Sequence, residues 1–144
     1  MDLAKRIIGY YLLATALAAA LLLIVTPLIH DGSPDYPLWQ ILNWFMAVGA
    51  VVILIAGFAA RRAQGCEKVD TLERLRVSLV FYGAIVLAML FFWEWFWTLN
   101  PDSETGEAVT SHLVYFPLVD SLFTVLAFIV GKRMWNAGHD GSQN

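Results

Sequence analysis

The stretch "RVSLVFYGAIVLAMLFFWEWFWTLNPD", residues 76 to 102, decides the fold. From Val77 to Leu99 it carries one charge, Glu94. At about 1.5 Å per residue, a helix over this run covers the roughly 30 Å of hydrocarbon in a bilayer. Asn100-Pro101-Asp102 ends it, because proline cannot continue the hydrogen-bond ladder and disfavours helix at the residue before it. Asp70 and Glu73 have the spacing of a capping box, which places the start of this helix near Thr71, ahead of the membrane.

Three more stretches share this character: Ile7 to Ile29, Leu38 to Ala60 and Leu113 to Val130. The chain of 144 residues is 59% hydrophobic and only 15% charged, against about a quarter charged in a soluble domain, so a soluble fold could not hide its apolar surface. Its mean hydropathy is +0.64. The expectation is an all-α membrane protein, a four-transmembrane-helix bundle, with residues 1–136 as one membrane domain and 137–144 as a short polar tail that includes His139 and is unordered. The first run resembles a secretory signal at its start, since Lys5 and Arg6 precede it, but it is longer than a signal core and is read as a retained span. Pro37 falls in the first turn of the second helix, where proline is tolerated, whereas Pro27 and Pro117 fall where a helix is expected to bend.

The nine basic residues occupy three places: Lys5 and Arg6; Arg61, Arg62, Lys68, Arg74 and Arg76; Lys132 and Arg133. The loops "HDGSPDY" and "NPDSETGEAVTSH" contain none and are acidic. By the positive-inside rule both termini and the middle loop are cytoplasmic, in a bacterial-type plasma (inner) membrane. The net charge of −3 averages over this asymmetry, and no basic stripe suits nucleic acid. A single cysteine, Cys66, excludes an internal disulfide and a cysteine zinc cage.

Tyr36, Trp39, Trp44, Trp93, Trp95, Trp97, Tyr115 and Phe116 crowd the acidic-loop boundary. An interfacial belt is the first reading of them, and an aromatic-lined ligand pocket the second. A fainter signal is the echo of Tyr36-Pro37-Leu38 with Gln40 in Phe116-Pro117-Leu118 with Asp120, which raises the possibility of two tandem helical hairpins.

Helical spacing gathers small and polar residues into stripes, as at close helix contacts in lipid: Tyr11, Thr15, Ala18 and Leu22; Gln40, Asn43, Ala47, Ala50 and Gly57; Gly83, Leu87, Leu90, Glu94 and Thr98; Asp120, Thr124, Ala127 and Gly131. With these inward, Glu94 stands about 27 Å from Arg76, Asn43 about 27 Å from Arg61 and Asp120 about 18 Å from Lys132. A charge at the bilayer centre costs at least about 2.5–3.5 kcal/mol on insertion scales, which makes Asp120 the costlier acid to keep. The partners within reach are Asn43, Gln40, Thr98, Tyr115 and the other acid, and two carboxyls that meet can share one proton. Glu94, Asp120, Asn43 and Gln40 are therefore the candidate intramembrane proton or cation site.

His30 and His112, with the acids of the two outer loops, have suitable chemistry for a metal, although no paired spacing fixes a geometry. No histidine lies within a span to ligate a haem, and no cofactor is expected. There is no nucleophile with a base, no phosphate loop and no metalloprotease helix, so an enzyme is not expected. Two functions fit: a small non-enzymatic accessory or scaffold subunit that packs on partner helices or on copies of itself, and a small oligomeric transporter or channel using Asp120 and Glu94. Metal or small-ligand binding at the outer face is a lesser third.

Overall fold

A computed structural model describes residues 2–29, 37–64, 70–99 and 108–140. These form four helices: α1 (Asp2–Ile29), α2 (Pro37–Gln64), α3 (Thr71–Thr98) and α4 (Ala108–Asp140). All four are long and apolar enough to cross a membrane. The chain is therefore a multi-pass membrane protein, and its exposed surface is what lipid requires: Leu17, Leu21, Ile24, Val48, Ile55, Val86, Met89 and Phe128 all face outward.

The helices outrun the apolar segments. α1 to α3 have 28 residues each and α4 has 33, or about 42 and about 50 Å of helix against the roughly 30 Å of hydrocarbon. The surplus lies chiefly at the basic end. Lys5 and Arg6 sit in the opening turns of α1, Arg61 and Arg62 in the last turn of α2, Arg74 and Arg76 near the start of α3, and Lys132 and Arg133 late in α4. Their contacts bring these ends together. Arg6 Nε donates to the Gly138 carbonyl at 2.7 Å, Gln64 Nε2 donates to the Glu73 carbonyl at 3.2 Å, and Arg133 lies 4.0 Å from Glu73. The Arg61 guanidinium lies over the rings of Phe81 and Tyr82, 5.0 and 4.7 Å from their centroids.

Two local expectations need correcting here. Asp70 does stand at the N-cap of α3, but its side chain makes no capping bond, and Glu73 faces Arg133 of α4 instead of turning back. The polar tail is not unordered from residue 137: α4 runs on to Asp140, with His139 stacked on Trp135 at 5.7 Å. At the other end α3 stops at Thr98, and the Leu99 N–H returns to the Trp95 carbonyl at 3.2 Å, just before the Asn100-Pro101 step that lies outside the described residues. Pro27 and Pro117 are both accommodated inside helices.

In cross-section the bundle is a rhombus. α1 packs most extensively on α4 and α2 on α3, α2 and α4 also meet across the short diagonal, and α1 and α3 do not touch. Accordingly 39% of the most apolar window is buried in α2 and α4, but 22% in α1 and α3. Small residues set this arrangement. A Cβ at Gly9 would stand 2.8 Å from the Trp135 amide nitrogen and 2.9 Å from the Gly131 carbonyl oxygen, so α1 and α4 meet backbone to backbone. At Gly49 of α2 the Phe123 ring of α4 fills the missing side chain, its nearest atoms 2.9 Å from that position. The core comprises Leu12, Ala16, Ala19, Met46, Ala50, Ile53, Ala84, Leu87, Phe123 and their neighbours. At the acidic-loop end, Trp39 Nε1 donates to Thr26 Oγ1 at 2.9 Å and ties α2 to α1.

Candidate functional site

Three helices bring Asn43, Glu94 and Asp120 to one small cavity of about 10 Å3, walled by Phe91, Trp95 and Phe116. Helical periodicity does the local work. Phe91, Glu94 and Trp95 fall on one face of α3 at i, i+3 and i+4, and Phe116 and Asp120 align on α4 at i and i+4. Asn43 comes from α2, two turns after Pro37. All three polar side chains are almost wholly buried: Asn43 is 8%, Glu94 7% and Asp120 4% exposed. The two acids, far apart in sequence, therefore line one cavity.

The cavity lies near the acidic-loop end, since Glu94 is one turn from the end of α3. On its other side the bundle closes. Met46, Leu87 and Phe123 are fully buried one to two turns nearer the basic end, and Ala47 and Ala127 pack among them. Trp44 meets Trp95 edge to face, with ring centroids 4.8 Å apart.

Neither carboxyl receives a hydrogen bond from another described residue, and the hydroxyls of the bundle that are hydrogen-bonded within their helices or to a neighbouring helix go to main-chain carbonyls. Tyr11 donates to the Phe45 carbonyl at 2.6 Å, Thr15 to Tyr11 at 2.8 Å, Thr98 to Trp95 at 2.7 Å, Ser121 to Pro117 at 2.6 Å and Thr124 to the main-chain carbonyl of Asp120 itself at 2.8 Å. No described lysine or arginine is near: Lys132 is about 18 Å along α4 from Asp120, and Arg76 about 27 Å along α3 from Glu94. Burying a polar group without a partner costs about 1–3 kcal/mol by mutational measures, and a bare charge far more.

Of the residues singled out from the sequence, the structure joins Asn43, Glu94 and Asp120 and leaves Gln40 out, exposed on α2. Thr98 and Tyr115 are exposed as well and do not line the cavity. Among the aromatics, Trp44, Trp93, Trp97 and Tyr115 are exposed and Trp39 is half-buried, whereas Trp95 is 8% exposed and belongs to the cavity wall. His30 and the outer-loop acids lie outside the described residues, as does the side chain of His112, and so with them the proposed outer-face metal. Among the described residues no cluster of three or more His, Cys, Asp or Glu side chains is placed to hold a metal ion. The walls Phe91 and Phe116 were not anticipated as a pair. Their signal was present in the spacing, three and four residues before the acids on the same faces.

Comparison with known protein families, characterised proteins and solved structures gives no match for this chain.

Proposed function

We propose that this protein is a small, non-enzymatic accessory or scaffold subunit of a bacterial-type inner membrane, with both termini and the Arg61–Arg76 loop on the cytoplasmic side. The single observation that carries the reading is the closed interior beneath the acid cluster. Phe123, Met46 and Leu87 fill the space between the two carboxyls and the basic end, so a solute entering from the acidic-loop side meets packed side chains. A self-contained transporter or channel using Asp120 and Glu94, the competing reading, has to open this plug or build its path between copies. The described residues form four spans, and a bundle of that kind packs against other helices more readily than it builds an enclosed catalytic site.

Its partners are then the lipid bilayer and other membrane subunits, or further copies of this chain. Gentle solubilisation followed by a native gel and mass spectrometry tests this: the expected result is a stable assembly larger than one chain. Purified protein that remains a monomer and drives solute or proton flux across liposomes by itself would overturn the proposal in favour of the transporter.

A further inference from the structure

We propose that Asn43, Glu94 and Asp120 form a binding site for one dehydrated monovalent cation of sodium size, an inference independent of whether the chain is a subunit or a transporter. The first ground is hydrogen bonding. Acids that merely fasten helix to helix are held by donors, yet no described residue donates a hydrogen bond to Glu94 or Asp120, and the hydroxyl of Thr124, one turn along α4, goes to the main-chain carbonyl of Asp120. Asn43 and Asp120, both more than nine-tenths buried, line the cavity without a hydrogen bond to any described residue. Two carboxyls and an amide oxygen thus line one space, and no described lysine or arginine lines it with them.

Size and donor chemistry narrow the occupant. A cavity of about 10 Å3 is at the lower limit for a single water. It admits a bare sodium-sized ion but no organic ammonium and no ion with its hydration shell. Two carboxyls and one amide carbonyl provide at most five oxygens. Calcium takes 6–8, and magnesium keeps several of its own waters, for which there is no room. The rings of Phe91, Trp95 and Phe116 make up the apolar part of the wall. One cation neutralises one carboxylate, and the second acid is then neutral when it carries a proton, so the buried site as a whole bears no net charge.

The test uses the full-length protein in nanodiscs of zwitterionic lipid, its thermal unfolding followed in sodium chloride and, at equal ionic strength, in N-methylglucamine chloride. A ligand that binds only the folded state raises the unfolding temperature in a saturable manner. The expected result is such a rise with sodium, absent with the bulky organic cation and absent for sodium in Asp120→Asn and Glu94→Gln. Equal unfolding temperatures in the two salts would overturn the proposal. So would saturation by calcium at lower concentration than sodium, which would assign a divalent site. The wild-type comparison decides the matter even where a variant fails to fold, and Asn43→Ala, expected to weaken sodium binding without removing an acid, gives a further check.

Discussion

Phe123 fills the space that Gly49 leaves open, and it is fully buried, so its ring has to shift against neighbouring side chains if that space is taken. Overpacking of this kind costs about 1–3 kcal/mol, set against the roughly 1 kcal/mol that alanine gains over glycine within a helix. Gly49→Ala is therefore expected to lower the stability of the bundle by about 1 kcal/mol. Adding Phe123→Leu is expected to restore part of that loss, because the two positions are in contact and their effects do not add. Thermal unfolding of both single variants and the double variant in detergent, followed by circular dichroism, checks this. Purely additive effects would show that the ring does not occupy the Gly49 notch. At the same scale Glu94 and Asp120 were visible in the sequence as isolated acids in apolar runs, and Asn43 as their polar companion. Trp95 was not, since an indole serves equally as a headgroup anchor or as a wall beside a polar cavity, and only tertiary packing selects between the two.

For whole helices, legibility depended on how unevenly each one is composed. α2 and α4 gather small and polar residues on one side, and the structure buries the expected Asn43, Ala47, Ala50 and Gly57, and Asp120, Ala127 and Gly131. α1 and α3 are apolar all round, so composition does not define an inward face. Thr15, Leu87 and Glu94 are buried as expected, but elsewhere the seams sit about one residue away: Ala19 rather than Ala18 is buried, and Phe91 rather than Leu90. The apparent repeat divides along the same line. Residues 43, 46, 47 and 50 of α2 face inward and so do their counterparts eighty positions later in α4, but of the buried Leu12, Thr15, Ala16 and Ala19 of α1 only Thr15 has a buried counterpart in α3 at that offset, Trp95. The pairing of helices suggests a contrast between two glycines. Gly9→Ala places a methyl group against the backbone of α4 and is expected to destabilise by about 1–3 kcal/mol. Gly83→Ala meets only the flexible tip of Leu126, at 3.4 Å, and is expected to be neutral or slightly stabilising. Unfolding temperatures of the two variants in the same detergent give the comparison, and equal losses would argue against a close α1–α4 crossing.

At the scale of the molecule, the gathering of basic side chains at one end of the bundle is both a sequence pattern and a structural one, because Arg6, Gln64, Glu73, Arg133 and Gly138 interlock there. The orientation proposed from it has a direct test in Cys66, the single cysteine, which lies in the segment joining α2 and α3. A membrane-impermeant maleimide is expected to label it in inverted vesicles and to leave it unlabelled in intact cells with a permeabilised outer envelope. The opposite pattern would place the basic end outside.

The Gly9–Gly131 crossing also has a mechanical meaning. It lies 11 residues from Asp120 and 7 from Gly138 on the same helix, or about 16 and about 10 Å. If α4 pivots rigidly there, the crossing is a fulcrum with unequal arms. A sideways displacement at the acid would then arrive at the Arg6–Gly138 contact reversed in direction and reduced to roughly two-thirds, by the ratio of those two lengths.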